Sequence, residues 1–361
     1  MLNQELDVTV CKIADEKRGK KPDETHLEFG QNFTDHMFTM RWTKEKGWCD
    51  ARIEPYGPFS IMPAAMVFHY GQAVFEGMKA YRGKDDSLFL FRPEENFKRM
   101  TKSALRICMP PLPEKAALKA LKALVYLDRD WVPRADGASL YIRPTMVASE
   151  PVIGLRPAKE YLFFIICCPV GAYYKEGFSP TKIYVEDTYV RAVPGGVGEA
   201  KTAANYAASV RAQEEAKKKG YSQVLWLDGV ERRYVEEVGT SNIFFVLDGE
   251  LITPKLQGSI LPGITRDSVL RLAKSWGYPV KERAITIEEI LGAMKENRLQ
   301  ESFGTGTAAV ISPIGELNYK GQIFKINNGV AGDIAKRLYK ELQDIQLGRQ
   351  VDEFHWMVPV A

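Results

Sequence analysis

The chain has 361 residues, of which 45% are hydrophobic and 26% are charged, and its formal net charge at pH 7 is +3. This length allows two packed domains, and this composition is typical of a soluble globular protein. The lysines and arginines form no dense cationic stripe, so we expect no nucleic-acid partner. The longest apolar run, residues 161–170, has about half the length of a transmembrane helix, so no membrane association is expected.

The N-terminal residues and the cysteines favour a cytoplasmic protein. The sequence begins with a polar segment that lacks the basic and apolar regions of a signal peptide. The five cysteines are odd in number and show neither a C-x-x-C pair nor a metal-binding spacing. The four histidines are scattered, so no metal site is expected. A reducing environment, the cytoplasm, is therefore predicted.

In the first half of the chain, strand-like runs alternate with amphipathic stretches of helical spacing. Strands are predicted where β-branched and aromatic residues are bounded by glycine or proline, at 38–42, 87–92, 140–143 and 162–166. Helices are predicted at 93–105, which begins with a proline suited to a first turn, and at 113–126. Turn residues dominate 170–180, which is predicted to be the hinge between two domains.

The second half continues this mixed pattern without a regular β-α-β order. Strands are predicted at 182–186, 224–229, 233–238 and 243–253, and Asp248-Gly249 gives the last of these a hairpin turn. Helices are predicted at 205–219, from Thr265, from Ile287 and at 329–343. Strands and helices in this irregular order favour an α+β fold over a doubly wound parallel sheet.

Lys201 lies in a segment of small residues, Pro-Gly-Gly-Val-Gly-Glu-Ala-Lys-Thr-Ala-Ala-Asn-Tyr at 194–206. Glycine and alanine leave its amine accessible to a bulky partner. Such surroundings suit a lysine that attacks a carbonyl group and forms a Schiff base. A glycine loop followed by an ordinary surface lysine explains the segment equally well.

Two further segments have the composition of anion-binding loops. At 259–268 a Pro-Gly turn leads into a helix whose first N–H groups favour an anion, although a capped helix is the simpler explanation. At 303–309, Phe-Gly-Thr-Gly-Thr-Ala-Ala offers backbone N–H groups and a hydroxyl, although a tight turn explains it equally well.

The adjacent acids Glu236 and Glu237 lie in a strand-like stretch. If that strand is half buried, one of them faces inward and needs a cationic partner; an exposed pair is the alternative. Together with Lys201, these features suit pyridoxal 5′-phosphate (PLP), a phosphorylated aldehyde cofactor.

A P-loop nucleotide hydrolase is the alternative from a different class. The segment Gly-Gly-Val-Gly-Glu-Ala-Lys-Thr at 195–202 is one residue from the G-x-x-x-x-G-K-[ST] pattern, and 224–228 is an apolar run that ends in aspartate. Ala200 replaces the glycine whose backbone must approach the phosphate, and Pro194 breaks the strand that should come before the loop. The P-loop is therefore the less favoured interpretation.

Several long stretches resemble the branched-chain amino acid aminotransferases of the fold-type IV PLP class. They are Phe-Gly-Gln-Asn-Phe-Thr-Asp-His-Met from Phe29, Tyr-Gly-Gln-Ala-Val-Phe-Glu-Gly-Met-Lys-Ala from Tyr70, Tyr-Ile-Arg-Pro from Tyr141, Val-Glu-Glu-Val-Gly-Thr-Ser-Asn-Ile-Phe from Val235 and Leu-Pro-Gly-Ile-Thr-Arg from Leu261. The resemblance implies a two-domain fold like that of D-amino acid aminotransferase. It predicts a smaller N-terminal α/β domain at 1–174. It also predicts a larger C-terminal domain at 175–361 with a β-barrel-like core and the Schiff-base lysine, and an active site between the two.

The resemblance also assigns roles around the cofactor. Lys201 matches the catalytic Schiff-base lysine, and Glu237 matches the acid that faces the pyridine nitrogen of PLP. The remaining cofactor residues match a tyrosine on the phenolic oxygen, a threonine near the ring and four groups on the phosphate: Tyr206, Thr240, Arg99, Ile264, Thr265 and Thr307.

On the substrate side, the resemblance implies an aromatic pocket formed by Phe29, Tyr70, Phe75 and Tyr173. Tyr141 and Arg143 match the pair that accepts the side-chain carboxylate of glutamate, and backbone groups of Thr307 and Ala308 match the α-carboxylate site. The family is dimeric, and Tyr70, Ile153 and Leu155 match residues that come from the neighbouring subunit.

The implied reaction transfers the amino group of L-leucine, L-isoleucine or L-valine to 2-oxoglutarate. It gives the branched 2-oxo acid and L-glutamate by a ping-pong mechanism. A D-amino acid aminotransferase and an aminodeoxychorismate lyase of the same fold are the nearest alternatives.

Overall fold

The computed structural model describes residues 6–171 and 178–361. The described strands, in chain order, are β1 (Thr9–Val10), β2 (His36–Thr43), β3 (Gly47–Pro55), β4 (Ala73–Phe75), β5 (Met78–Arg82), β6 (Leu88–Phe91), β7 (Ser139–Ala148), β8 (Glu160–Val170), β9 (Thr181–Glu186), β10 (Gln223–Leu227), β11 (Val235–Val238), β12 (Ser241–Leu247), β13 (Glu250–Thr253), β14 (Val280–Glu282), β15 (Leu299–Gly306), β16 (Val310–Tyr319), β17 (Gln322–Lys325) and β18 (Met357–Pro359). The described α-helices are α1 (Met66–Tyr70), α2 (Pro93–Arg106), α3 (Glu114–Leu127), α4 (Ala203–Lys218), α5 (Ile264–Ser275), α6 (Ile287–Lys295) and α7 (Asp333–Gln346).

The chain divides into two compact units. The first contains Met1–Ala172, Ala200–Ala204 and Gln343–Ala361, and the second contains Tyr173–Glu199 and Asn205–Leu342. The sequence predicts a single division of the chain, after residue 174. The two short segments that the structure assigns to the first unit enlarge that unit at the expense of the second.

Hydrogen bonds explain why these two segments belong to the first unit. The N–H of Phe75 donates to the carbonyl of Lys201 over 3.1 Å, and Thr202 forms a β-bridge with Val74. Near the other end of the chain, β18 pairs with β6 in an antiparallel register. Lys201 therefore lies with the first unit, whereas the resemblance predicts it in the C-terminal domain.

The first unit is built on a nine-stranded sheet. Its strand order is β1-β3-β2-β8-β7-β5-β6-β18, with β4 paired to β7. Helices α2 and α3 cover the sheet because their apolar residues recur at helical spacing, as at Phe97, Met100 and Ala104, and are buried in the core of the unit. This packing fixes the position of α2, and α2 also carries Arg99.

The second unit contains a closed β-barrel. Strands β11, β10, β9, β16, β15 and β12 pair in that order, and β12 also pairs with β11, so six strands form a complete ring. Apolar residues from these strands fill the core, among them Val185, Leu225 and Phe245. The predicted α+β fold with a β-barrel-like core is therefore confirmed.

Two local predictions need correction. The sequence predicts a loop at 303–306, but this segment belongs to β15, which pairs with its neighbouring barrel strands β12 and β16. The helix predicted at 329–343 begins only at Asp333, because Gly329 has a positive φ angle and Val330 has an extended backbone. The predicted hinge at 170–180 falls largely on residues 172–177, which lie outside the described residues.

Candidate active site

Lys201 is placed in the first unit by backbone contacts on both sides of its peptide. Its carbonyl accepts from Phe75 N–H, and its own N–H donates to Ser103 Oγ on α2 over 2.9 Å. The side chain is half-buried, and its Nζ lies 5.0 Å from the centroid of the Phe75 ring. The lysine is therefore held at a defined position instead of lying in a free surface loop.

Arg99 lies on the same face of α2 as Ser103 and forms a buried ion pair with Glu76. Its Nε donates to Glu76 Oε1 and its Nη2 to Glu76 Oε2, each over 2.8 Å. Glu76 is fully buried and also accepts from Asn96 Nδ2 over 2.8 Å. Burial alone would raise the pKa of the Glu76 carboxyl, but the charge and hydrogen bonds of Arg99, with smaller effects of Lys201 and Asn96, lower it. Glu76 is therefore a buried, ionised partner of Arg99.

The predicted pair Tyr141 and Arg143 is brought together on β7. Arg143 Nη2 donates to the Tyr141 hydroxyl over 2.9 Å, and the Arg143 guanidinium carbon lies 4.8 Å from the Phe75 ring centroid. Phe29 packs edge-on against Tyr141, with ring centroids 4.7 Å apart. Among the described residues, no carboxylate lies within ion-pair distance of Arg143. The result is a cation surrounded by aromatic rings, which suits an anionic guest.

The remaining predicted substrate residues of the first unit are exposed. Tyr70 is the last residue of α1, and Ile153 and Leu155 follow β7. A β-bridge between Ala65 and Pro151 brings the segment before α1 next to the segment that contains Ile153 and Leu155. Tyr173 lies outside the described residues, so its role stays a prediction.

In the second unit, Glu237 lies on β11 and is buried. Its Oε1 accepts from the N–H of Leu261 over 2.7 Å and lies 3.3 Å from Arg191 Nη2. The neighbouring Glu236 is also buried and accepts from Ser259 Oγ, and burial raises the pKa of the Glu236 carboxyl against that hydrogen bond. Both acids are therefore buried, whereas the sequence predicts that only one of them faces inward.

The same loop that binds Glu237 leads into α5. Its Leu261 carbonyl accepts from Asn242 Nδ2 over 2.9 Å, and Ile264 and Thr265 are the first two residues of the helix. Gly263 precedes them at the N-cap and offers no side chain to cap the helix. The helix start is thus fixed by β11 and β12 and retains the anion-attracting end of the helix dipole.

Three of the other predicted residues are half-buried and one is exposed. Tyr206 lies in the first turn of α4, and Thr307 and Ala308 follow β15 directly. Thr240 is exposed at the turn between β11 and β12.

The structure adds three residues that the sequence analysis did not select. Glu76 pairs with Arg99, and Arg191 pairs with Glu237. Gly77 has no room for a side chain, because an added Cβ would collide with the Tyr141 hydroxyl. Glu76 and Gly77 lie in the stretch from Tyr70 that resembles the aminotransferase family, so the resemblance could have identified them. No sequence pattern indicates the contact between Arg191 and Glu237.

The residues present fit PLP when each unit is considered by itself. The first unit offers a half-buried amine and a buried guanidinium held by a carboxylate. The second offers a buried carboxylate for a pyridine nitrogen and a helix start for a phosphate. In the described part of the chain, no group of three or more His, Cys, Asp or Glu residues could hold a metal ion.

A family model described as amino-transferase class IV matches residues 73–317. The chain belongs to the class IV aminotransferases. Enzymes of this class use PLP, which is therefore the cofactor. The match does not favour the P-loop alternative.

Sequence relatives of this class IV aminotransferase cover almost its whole length. It is 56% identical to branched-chain-amino-acid aminotransferase 2 of Bacillus subtilis (strain 168), over 94% of each chain. It is 53% identical to branched-chain-amino-acid transaminase 1 of the same strain, over 94% of this chain and 96% of the relative.

Solved structures of similar proteins have the same fold. The branched-chain aminotransferase of Thermoproteus uzoniensis with norvaline matches with a TM-score of 0.75 at 28% identity, over 90% of this chain and 100% of that chain. The PLP form of the branched-chain amino acid aminotransferase of Thermobaculum terrenum matches with a TM-score of 0.73 at 26% identity, over 92% and 100%. Across the described residues, no helix has both the length and the apolar character needed to cross a membrane.

Proposed function

We propose that this class IV aminotransferase transfers the amino group of L-leucine, L-isoleucine or L-valine to 2-oxoglutarate. The observation that carries the proposal is the cluster of Phe75, Tyr141 and Arg143. It combines aromatic surface with a guanidinium that has no carboxylate partner among the described residues. The names of the sequence relatives, which are branched-chain amino acid aminotransferases, support the same substrate class.

The two substrates of this reaction make different demands on one pocket. An aliphatic side chain is stabilised by about 25 cal/mol for each Å² of apolar surface that it buries against the rings of Phe29, Phe75 and Tyr141. The side-chain carboxylate of 2-oxoglutarate needs a cation and a hydroxyl. Arg143 and Tyr141 supply both, and a guanidinium binds a carboxylate through two parallel hydrogen bonds.

For the cofactor, we propose the roles that the resemblance assigns. PLP, when bound, withdraws electrons from the Cα of the substrate and so makes its proton removable. Lys201 Nζ moves that proton, Glu237 accepts the pyridine N–H, and Arg99, Ile264, Thr265 and Thr307 bind the phosphate. Tyr206 donates to the phenolic oxygen, and Thr240 lies beside the ring.

Reduction of the holoenzyme with borohydride, followed by peptide mapping, tests the position of the cofactor. We expect the label on Lys201. Lys79 is the informative alternative, because it is a buried lysine of the same unit and burial lowers its pKa to about 8. A label on Lys79, or on no lysine, would contradict the proposal.

A side-by-side assay with L-leucine, D-alanine and aminodeoxychorismate tests the substrate class. We expect turnover of L-leucine with 2-oxoglutarate and little of the other two. The D-amino acid aminotransferase or the lyase becomes the better assignment if D-alanine or aminodeoxychorismate is the faster substrate.

We also propose that the enzyme is a homodimer in which Tyr70, Ile153 and Leu155 contribute to the active site of the neighbouring subunit. The exposed fractions of Ile153 and Leu155 are 71% and 86%, and those of Met62, which precedes α1, and Phe68, which lies on α1, are 65% and 61%. The β-bridge between Ala65 and Pro151 joins the two segments that carry these side chains, and exposed apolar residues on neighbouring segments are typical of an interface between subunits. A cytoplasmic location is part of the proposal, and the five free cysteines fit a reducing compartment.

A further inference from the structure

Glu76 is the most enclosed charged side chain near Lys201. It directly follows Phe75 at the end of β4, and its exposed fraction is 0%. A carboxylate removed from water is costly unless its oxygens are satisfied. Both oxygens accept hydrogen bonds here. Arg99 donates to each of them, and Oε2 also accepts from Asn96 Nδ2 and, over 3.2 Å, from the N–H of Gly77.

The hydrogen-bond geometry fixes the orientation of Arg99. A guanidinium is planar, so two bonds along the edge formed by Nε and Nη2 set the direction of the whole group. The carboxylate is itself held, because the N–H of Glu76 donates to the carbonyl of Pro144 over 2.8 Å and Asn96 also donates to the carbonyl of Gly77 over 3.2 Å. Arg99 is thereby ordered before any ligand arrives.

One face of α2 connects this ion pair with Lys201. Asn96, Arg99 and Ser103 are spaced by three and four residues, so they lie on the same side of the helix. Asn96 and Arg99 bind Glu76, and Ser103 binds the backbone of Lys201. The cation and the amine are therefore positioned by one rigid element.

We propose that Glu76 is a positioning residue for phosphate recognition, which acts by holding the Arg99 guanidinium in the orientation that binds the phosphate of PLP. This inference rests on the proposed phosphate role of Arg99. An arginine that is already ordered loses less conformational entropy when its ligand binds, and this raises its affinity for the ligand. If Glu76 only neutralised Arg99, its removal would strengthen phosphate binding, so the two roles predict opposite results.

Glu76→Gln tests the inference, because it keeps the shape of the side chain and removes its charge. The apoenzyme is titrated with PLP and, separately, with pyridoxal, which lacks the phosphate. We expect the dissociation constant of PLP to rise at least about tenfold, the scale of a lost hydrogen bond to a charged group, while that of pyridoxal stays within about twofold. An equal loss for both ligands would indicate a structural role, and tighter PLP binding would indicate neutralisation; either result overturns the inference.

A double-mutant cycle shows whether the effect passes through Arg99. In an Arg99→Met background, Glu76→Gln should not weaken PLP binding further. The matched control is Glu289→Gln, since Glu289 forms a two-point pair with Arg283 in the second unit. We expect that control to leave the affinities for PLP and pyridoxal unchanged.

The role of Glu76 can be tested even if the Glu76→Gln variant does not fold. If Glu76→Gln does not fold, Asn96→Ser loosens Glu76 and retains both charges, and it should also weaken PLP more than pyridoxal; equal weakening overturns the inference. Failure of the proposed function is seen separately, since borohydride would then leave Lys201 unlabelled in the unmodified protein. Labelled Lys201 together with unchanged PLP affinity in Glu76→Gln refutes the role of Glu76 alone.

Discussion

Arg143 is the residue on which recognition of two unlike substrates depends. Arg143→Ala should raise the KM for 2-oxoglutarate far more than that for L-leucine, because only the former presents a carboxylate to the guanidinium. Loss of a charge-assisted pair corresponds to about 2 to 5 kcal/mol, or more than about tenfold in KM. Steady-state kinetics with each substrate varied in turn provide the measurement.

Arg143→Lys is the informative companion variant. It retains the positive charge but loses the fork geometry and the bond to the Tyr141 hydroxyl, so we expect an intermediate KM for 2-oxoglutarate. Equal increases for both substrates in Arg143→Ala would contradict separate roles of the aromatic rings and the cation.

Lys79 gives a prediction about stability and pH. It is 7% exposed on β5, and burial lowers its pKa to about 8 from 10.5. The unfolded chain therefore binds more protons between pH 8 and 10.5, so the stability of the wild type rises relative to Lys79→Met as pH rises through this window. Between pH 7.5 and 9.5 the difference in unfolding free energy should change by about 2 kcal/mol in favour of the wild type. Urea unfolding of both holoenzymes at the two pH values measures it, and a difference independent of pH would exclude this cause.

At the residue scale, the sequence predicts single groups but not the residues that contact them. Lys201, Arg99, Tyr141 and Arg143 were selected because the motifs around them are local. The partner of Arg99 is Glu76, and the two are separated by 23 residues and joined only by the packing of α2 on the sheet. A pattern read along the chain carries no information about such a contact.

At the element scale, the loop between β13 and α5 depends on close packing at Gly263. An added Cβ would collide with Asn242 Oδ1, whose amide nitrogen bonds the Leu261 carbonyl of the same loop. Gly263→Ala should therefore lower the unfolding free energy by about 1 to 3 kcal/mol and weaken PLP binding, since the helix start shifts. Urea unfolding of the holoenzyme and titration of the apoenzyme measure the two effects.

Gly292 provides the matched control on α6. An added Cβ there meets no atom within 4 Å, and alanine is the better helix former. Gly292→Ala should raise the unfolding free energy by about 0.5 to 1 kcal/mol and leave PLP binding unchanged. A shift of the same sign in both variants would argue against the contact with Asn242 as the cause.

The elements that the sequence predicted best are those with strong local signals. Helix α2 begins at Pro93 as predicted, and the Asp248-Gly249 turn joins β12 to β13. Strand β15 was missed at 303–306 because Gly-Thr-Gly is typical of loops, and its strand character comes from pairing with two barrel neighbours. Closure of the ring between β11 and β12 is likewise set by the whole barrel and not by any one segment.

At the scale of the whole molecule, the exposed apolar residues predict the assembly. If the proposed dimer forms, Leu155→Asp should dissociate it into monomers, because a charge at an apolar interface must be desolvated. It should also abolish most activity, because each proposed site would lose the residues of its neighbour. Size-exclusion chromatography with light scattering and an activity assay provide the measurements.

Val351→Asp is the control for this prediction. Val351 is 81% exposed in the same unit and lies between α7 and β18, in neither α1 nor the segment after β7. We expect this variant to remain dimeric and active. An active, dimeric Leu155→Asp protein would refute the proposed interface.

The pairing of β18 with β6 has a consequence for biosynthesis. Strand β6 leaves the ribosome early, whereas its neighbour Met357–Pro359 is translated only after the entire barrel. Until then β6 is an unpaired edge strand, which invites association between nascent chains. Afterwards the edge is β18, a three-residue strand that ends in a proline and is a poorer template for such association. We expect chains released before residue 357 to be the aggregation-prone species, and chaperones that bind emerging polypeptides to be needed most in that interval.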